Sequence, residues 1–428
     1  MTLTPPCDAV TRVHTLPNGV RVVADPAPGF QTLALTVAAG RGARAEGEAE
    51  AGWSHLLEHM VFKGAGQRSA RDIVEEIEAR GGSINAATGY ERTSFQVRSL
   101  EGGLQLGLEV IADLVLRPTL DGGELTREVG VIAQEIAEAA DTPDDFVFEL
   151  AQGAAFTDQP LGRPVLGTEA SLRTADPVTL EAWRARLYAP DRLVVSAAGA
   201  VDEDELLALA GRLFGDARSD GAATPAAGAF VGGRAGEARR LEQAHVVFYL
   251  PGVGATDPDY FAMRIFAEAL GGGMSSRLFQ EARERLGLAY AIDAFAESYQ
   301  DTGVLGVYAG CAAKDAAGLA DVVAAEIRKL AEAIGEAELD RAKAQLKAGL
   351  FMARESLAAR AEQAAAQLLV FGGLLGPDEI AAAIDAVTGA AIRRLAERLL
   401  APGLSAPAVL GPARALGAAD RFHQALFG

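Results

Sequence analysis

The spacing of apolar and polar residues switches along the chain between the two-residue period of strands and the 3.6-residue period of helices. At the start, two alternating runs flank Pro17-Asn18-Gly19, which predicts a β-hairpin. Helical spacing follows, with Ser69 as a cap and glycines as stops. In the first half we predict strands at 11–16, 20–24, 31–38, 83–88, 93–100 and 193–198, and helices at 50–63, 69–80, 104–116, 124–139, 180–188 and 203–214. This mixture predicts an α+β fold.

The second half of the chain repeats this order of elements. A stretch with few large apolar residues, 217–236, predicts a linker. After it we predict strands at 245–250, 288–296 and 303–310, helices at 257–270 and 275–286, and then two long helices. Glu124-Leu125-Thr126-Arg127 and Glu338-Leu339-Asp340-Arg341 begin corresponding helices 214 positions apart. We therefore predict two homologous domains, 1–216 and 237–428, each an α/β sandwich with helices packed on a mostly antiparallel sheet.

Composition excludes several classes of protein. The 39 Lys and Arg residues against 58 Asp and Glu give a formal charge of −19, and no basic run offers a nucleic-acid surface. No segment reaches the roughly 18 uncharged apolar residues of a membrane helix, and the N-terminus lacks the pattern of an export signal. Cys7 and Cys311 are too few for a disulfide framework, so we expect structural thiols in a reducing cytoplasm. The net negative charge of the chain favours a basic peptide over a nucleic acid as a partner.

The first helical block contains His55-Leu56-Leu57-Glu58-His59. At 100° per residue, His59 lies about 40° from His55 and Glu58 about 60° the other way, so all three project from one face. Two imidazoles one turn apart form a bidentate metal site, and the carboxylate is placed to take a proton from a metal-activated water. The alternative is a helix that carries two hydrogen-bonded histidines on a half-buried face.

A catalytic zinc usually has three protein ligands, so a third is required. Glu128 and Glu135 lie seven residues apart on the 124–139 helix, among apolar residues, and therefore share one face. Carboxylates on an apolar face are costly unless they are paired or coordinated. The alternative is that both are ordinary solvated glutamates.

These residues resemble the inverzincin, or pitrilysin-type, zinc metallopeptidases, which include insulin-degrading enzyme and mitochondrial processing peptidase. The resemblance rests on H-x-x-E-H at 55–59 with Glu135 lying 76 positions beyond His59, and it extends over most of the chain. Further matching segments are Leu16-Pro17-Asn18-Gly19, 83–96 with Asn85-Ala86, Gln134-Glu135-Ile136, Asp141-Thr142-Pro143 and 287–290.

The resemblance implies a role for each matching residue. It makes His55, His59 and Glu135 the ligands of one Zn²⁺ per chain, Glu58 the general base, and Glu128 a supporting carboxylate behind the ligands. It makes Asn85 and Ala86 part of an edge strand that pairs with extended substrate. Residues that reach the scissile peptide from the second half are Arg283 and Tyr290. The implied activity is a zinc endopeptidase acting on unstructured or presequence-like peptides.

The resemblance also implies an assembly. Positions 214 beyond Glu128 and Glu135 are Ala342 and Gly349, so we predict that the second half is structural and contacts substrate without binding metal. Related enzymes enclose substrate between four such units, whereas this chain supplies two. We therefore expect a homodimer with a chamber, although a heteromeric partner stays open. The alternative functions are a non-catalytic peptide-binding or scaffold subunit of a heteromeric peptidase and a hydrolase of a non-peptide bond.

Overall fold

The computed structural model describes residues 11–218 and 225–428. Its strands are β1 (Arg12–Thr15), β2 (Arg21–Pro26), β3 (Thr32–Ala39), β4 (Gly64–Ala65), β5 (Arg68–Ser69), β6 (Ser83–Thr88), β7 (Thr93–Leu100), β8 (Leu193–Gly199), β9 (Ala235–Ala238), β10 (Ala244–Gly252), β11 (Ala289–Ser298), β12 (Gly303–Cys311) and β13 (Ala406–Gly411).

The helices are α1 (Trp53–Val61), α2 (Ala70–Glu78), α3 (Leu104–Leu116), α4 (Gly122–Ala140), α5 (Pro143–Ala155), α6 (Glu169–Leu172), α7 (Pro177–Leu187), α8 (Glu203–Phe214), α9 (Tyr260–Gly271), α10 (Ala316–Glu332), α11 (Glu336–Ala353), α12 (Leu357–Phe371), α13 (Pro377–Ala386), α14 (Gly389–Leu400) and α15 (Ala418–Phe427). A π-helical segment spans Phe279–Arg285. No helix in the described parts of the chain is long and apolar enough to cross a membrane.

The first sheet has six strands in the order β1-β2-β8-β3-β7-β6. Its β2–β8 pair is parallel, and every other pair is antiparallel. The central strands β3 and β8 are buried along almost their whole length, because helices cover both faces of the sheet there. Strand β6 alternates between exposed and half-buried residues at the end of the sheet. It therefore presents an edge beside the helices of this unit.

The core of the first unit joins one face of this sheet to α1, α3, α7 and α8. Leu56, Leu57 and Met60 form the apolar side of α1 and are fully buried in it. Burial of these three side chains fixes the rotation of α1 about its axis. As a result, the histidines and the glutamate of the H-x-x-E-H motif lie on the opposite, more accessible side of the helix.

The other face of the first sheet is covered by α12, which comes from the second half of the sequence. Its packing side is formed by small residues at helical spacing, namely Ala361, Ala364, Ala365 and Leu368. Beside them, Arg360 donates hydrogen bonds from Nε and Nη2 to the two carboxylate oxygens of Asp25, each at 2.7 Å. Asp25 is buried in β2, so this bidentate pair joins the helix to the sheet.

Replacing Arg360 with Met is expected to lower the free energy of unfolding by about 3–5 kcal/mol, because it leaves the buried Asp25 carboxylate without its cation. Chemical denaturation measures the change. The matched control is Arg71→Met, which removes an exposed ion pair with Glu75 and is expected to change stability by less than about 1 kcal/mol. Equal effects of the two substitutions would contradict a structural role for the Asp25–Arg360 pair.

The second sheet has five strands in the order β11-β12-β10-β13-β9. Helices α9, α10, α14 and α15 share one core with it. Helix α5 packs on β10 and β13, and the ring of Phe148 in α5 stacks on Tyr308 of β12 with 5.4 Å between centroids. Each sheet therefore carries one helix that comes from the other half of the sequence.

This exchange of helices makes the compact units discontinuous. One unit consists of the described parts of Met1–Ile136, Val165–Pro225 and Met352–Leu374, and the other takes the remaining described residues. The predicted domains, 1–216 and 237–428, were each one continuous segment. The prediction therefore did not include the exchange of helices. Of the predicted linker, residues 219–224 lie outside the described residues. Phe230 beyond them packs edge-on against Phe156, with 6.0 Å between centroids.

The predicted mixture of helices and mostly antiparallel sheets is confirmed. Strands 83–88 and 93–100 and helices 104–116 and 203–214 have the predicted bounds. The predicted helix at 275–286 differs, since a π-helical segment occupies Phe279–Arg285. The hydrophobic pattern in the last third of the chain did not predict α12 to α15 as separate helices, and it did not predict strand β13. Cys311 is a free, buried thiol, and Cys7 lies outside the described residues.

Candidate metal centre

The N-terminus of α1 is held by a buried carboxylate. Glu46 is 3% exposed and accepts hydrogen bonds from the backbone N–H of Gly52 at 2.8 Å and of Ser54 at 2.7 Å. A negative charge there satisfies free N–H groups and complements the helix dipole. Gly52 has φ +86°, and a Cβ atom would meet the carbonyl oxygen of Leu166 at 2.6 Å. These contacts fix where the motif helix begins.

Three side chains from two helices converge on one point. His55 and His59 project from α1, and Glu135 projects from α4. Oε2 of Glu135 lies 3.6 Å from Nε2 of His59 and 3.9 Å from Nε2 of His55. One ligand atom from each residue lies within 4.8 Å of the other two. The structure therefore brings together the three residues that the sequence predicted as ligands.

The spacing and chemistry of these donors fit zinc. Atoms bound at about 2.0–2.2 Å in a tetrahedral site lie roughly 3.3–3.6 Å apart. The observed separations are close to this value and too long for hydrogen bonds between the donors. Burial, and to a smaller extent the neighbouring His59, lowers the pKa of His55 to about 4. Its imidazole is then neutral at pH 7, the form that binds a metal ion.

A second pair of charges lies behind His59. Glu128 is 4% exposed and its Oε2 lies 3.0 Å from Nδ1 of His59. Its other oxygen lies 2.8 Å from Nζ of Lys63. A carboxylate that accepts the Nδ1 proton leaves Nε2 of His59 free to bind a metal. The contact agrees with the predicted supporting position of Glu128, and Lys63 balances its buried charge.

Replacing Lys63 with Met is expected to weaken zinc binding about 10-fold, because the Glu128 carboxylate that orients His59 loses its cation. Competition with a chromogenic chelator measures the affinity. Lys63→Arg keeps the charge and should lie closer to the parent protein. The control is Lys347→Met, which breaks the pair between Lys347 and Asp385. Parental affinity in Lys63→Met would refute the support that Lys63 gives to Glu128.

The carboxylate of Glu58 is mostly buried beside the two histidines. Burial raises its pKa, while hydrogen bonds from Thr88 and the charge of His59 oppose the shift. Glu58 Oε2 is buried and has no hydrogen-bond partner. An elevated pKa in a partly dry site suits a group that must accept and return a proton.

A cleft of about 360 Å³ joins this carboxylate to the edge strand. Among the described residues, β6 pairs only with β7. Asn85 is exposed and Ala86 half-buried on β6. The cleft is lined by Glu58, His59, Phe62, Lys63, Val74, Glu78 and residues 83–86. The predicted substrate-pairing strand and the predicted base therefore border the same cleft.

Arg283 and Tyr290 belong to the second unit. Arg283 lies in the π-helical segment with its guanidinium 4.6 Å from the centre of the Phe279 ring. Tyr290 is 65% exposed and sits at a β-bulge in β11, between Ala289 and Ala291. Bulges often redirect a side chain near a functional site. Their role in catalysis stays a prediction.

Sequence reasoning missed three residues that support the site. Lys63 follows His59 by four positions, one helical turn, and this spacing could have indicated it. Thr88 shares a face of β6 with Ala86, two positions earlier. Glu46 lies in a loop before the helix and has no sequence signal, because its contact depends on how that loop folds back.

Two family models match the chain. One described as Insulinase (Peptidase family M16) matches residues 21–169, and one described as Peptidase M16 inactive domain matches residues 176–346. An uncharacterized zinc protease of Rickettsia bellii is 35% identical over 94% of this chain and 97% of the relative. The chain belongs to peptidase family M16.

Other relatives have similar names. An M16 relative from Mycobacterium leprae is 36% identical over 93% of this chain and 91% of its own length, and one from Streptomyces coelicolor is 35% identical over 97% and 92%. Both are named uncharacterized zinc proteases. The resemblance to pitrilysin-type peptidases of half length is confirmed.

Solved structures share the fold. A protease from Helicobacter pylori superposes with a TM-score of 0.87 at 22% identity, over 94% of this chain and all of that chain. A chain of complex III2 from Candida albicans, with Inz-5 bound, gives 0.85 at 20% identity, over 97% and 99%. At such identities the likeness concerns the M16 fold alone.

Proposed function

We propose that this chain is a zinc-dependent endopeptidase that cleaves extended, unstructured peptides. The observation that carries the proposal is the convergence of His55, His59 and Glu135 beside the buried carboxylate of Glu58. An M16 scaffold without catalysis would not need this donor set together with a base of raised pKa. The relatives named zinc proteases support the same conclusion.

In this mechanism His55, His59 and Glu135 would hold Zn²⁺, which would polarise a carbonyl group and lower the pKa of a water molecule to about 7. Glu58 accepts the proton of the attacking water and then delivers it to the leaving amine. Lys63 and Glu128 keep His59 in the tautomer whose Nε2 is unprotonated. We assign oxyanion stabilisation to Tyr290, assisted by Arg283.

The position of β6, as an edge strand beside Glu58, indicates the substrate class. An edge strand beside the base binds an extended backbone by strand addition, which a folded protein cannot offer. The test is cleavage of a quenched, unstructured basic peptide by zinc-loaded protein. The control is the same sequence closed into a disulfide-locked hairpin. Cleavage of the linear form alone supports the proposal, and cleavage of neither form by protein that retains zinc favours the non-catalytic scaffold function.

We also propose that two copies of the chain form the working enzyme. The curated relatives are matched over nearly their whole length. The family resemblance implies that related enzymes enclose substrate between four such units, of which one chain would supply two. We expect light scattering to give about twice the 44.4 kDa mass of one chain. A monomer mass across working concentrations would contradict the dimer without affecting the metal site.

A further inference from the structure

The loop between β3 and α1 contacts two parts of the candidate site. Its residues 42–46 are buried, except for the half-buried Ala45, although they lie outside the sheet. Two backbone hydrogen bonds of 2.9 and 3.1 Å close a single 3-10 turn, Ala43–Ala45, within this segment. Because these bonds fix the backbone between its two ends, the 42–46 loop is a short and rigid connection.

The first end of the 42–46 loop holds the turn of the β6–β7 hairpin. The N–H of Ala43 donates to the carbonyl oxygen of Gly89 at 3.0 Å. The N–H of Arg44 donates to the carbonyl oxygen of Tyr90 at 2.8 Å. The buried guanidinium of Arg44 also pairs with the carboxylate of Glu91 in the same turn. These contacts fix the end of the substrate-pairing strand against the loop.

The other end of the 42–46 loop holds α1. Glu46 lies two residues beyond Arg44 and accepts the N–H groups of Gly52 and Ser54 through its two carboxylate oxygens. The next residue after Ser54 is His55, the first proposed zinc ligand. The turn that follows β6 and the start of the motif helix are therefore joined by four consecutive residues.

A glycine allows the loop and the turn to approach this closely. A Cβ atom at Gly42 would lie 2.1 Å from the carbonyl oxygen of Gly89, whereas such contacts are essentially never shorter than 3.0 Å. The φ of Gly42 is −156°, which does not by itself require glycine. Glycine is therefore needed for the close contact. A methyl group would push the loop and the turn apart by roughly 0.9 Å.

We propose that Gly42, Arg44 and Glu46 are positioning residues, which set the separation between the substrate-pairing strand β6 and the motif helix α1. A peptide paired with β6 then presents its scissile bond at the correct distance from the metal centre. A misplacement of about 1 Å can lower a catalysed rate about 100-fold. The inference rests on the peptidase function proposed above.

The kinetic test is Gly42→Ala. With the quenched basic peptide, kcat should fall about 10- to 100-fold, because the scissile bond is displaced from the metal centre. KM should stay within about threefold, since the peptide still pairs with β6. Chelator competition should give parental zinc affinity and stoichiometry, because the proposed ligands lie on α1 and α4. Parental kcat, or loss of zinc together with kcat, would overturn the inference.

The matched control is Gly47→Ala, one residue beyond the loop. Gly47 is exposed, and its Cβ atom would meet only Oε2 of Glu50, at 3.4 Å. Its φ of −72° also suits alanine. The control should keep kcat, KM and zinc affinity within about twofold of the parent protein. A loss of kcat as large as that of Gly42→Ala would overturn the specific role of the contact with the hairpin turn.

A double-mutant cycle tests whether the two ends act as one connection. Glu46→Gln keeps one acceptor oxygen and loses the other, so it weakens the hold on α1. At saturating zinc its kcat should fall about 10-fold. The double variant with Gly42→Ala should lie within about threefold of the weaker single variant, because the connection is already broken. Losses that multiply would show two independent contacts and overturn the inference.

Hydrogen exchange provides a measurement that needs neither zinc nor activity. In the metal-free parent, the amides of Ala43 and Arg44 should be protected, and they should exchange at least about 10-fold faster in Gly42→Ala. Gly47→Ala should match the parent. Rapid exchange of both amides in the parent overturns this inference alone, whereas a parent protein that cleaves no peptide at full zinc occupancy overturns the peptidase function.

Discussion

Replacing Glu58 with Gln should lower kcat by about 10²–10⁴-fold while zinc stays bound at the parental level. The amide keeps the size of the side chain, but it cannot take a proton from water. The three proposed zinc ligands are not altered. The measurement is kcat with the quenched peptide, together with metal content by mass spectrometry.

The same substitution should leave the metal-free fold at least as stable. Because burial raises the folded-state pKa of Glu58, its ionised form opposes folding, and that penalty grows as the pH rises through the unfolded pKa. A neutral amide removes the penalty at pH 7. Glu138→Gln, at an exposed position on α4, is the control for both readouts. A Glu58→Gln enzyme with kcat within tenfold of the parent would exclude Glu58 as the base.

Replacing Glu135 with Gln should weaken zinc binding by more than about 100-fold, a larger effect than loss of a supporting residue behind the ligands. Two imidazoles then remain, and the only charged donor of the set is lost. Chelator competition measures the affinity, and cleavage should fall with zinc occupancy. Circular dichroism checks that the helices are retained.

The outcomes for Glu135 and Glu58 differ in kind. Glu135→Gln should lose zinc and activity together, and excess zinc should restore part of the activity. Glu58→Gln should not respond to added zinc. Parental zinc affinity in Glu135→Gln would show that the third ligand lies elsewhere.

Local sequence patterns predicted much of the candidate metal centre because its key residues lie on one helix. His55, Glu58 and His59 are related by helix geometry, so their convergence needs no tertiary information. Glu135 is different, since it lies 76 positions beyond His59 and meets it only through folding. The family resemblance supplied that contact, which spacing within one helix could not indicate.

The contacts that tune the site depend on tertiary structure. Thr88 reaches Glu58 because the end of β6 lies against α1, and Glu46 reaches Gly52 because a loop folds back over the helix. The exchange of helices between the two units was also not predictable from the sequence. Alanine-rich α12 carries a pattern that favours a helix, but small residues do not specify which sheet it covers.

Zinc titration of metal-free protein, with peptide cleavage followed at each addition, tests whether this chain is a zinc-dependent peptidase. We predict that cleavage rises linearly and stops rising at one zinc per chain, and that Glu58→Gln binds the same amount of zinc and remains inactive. Cleavage that is independent of zinc, or an inactive parent protein at full zinc occupancy, would contradict it.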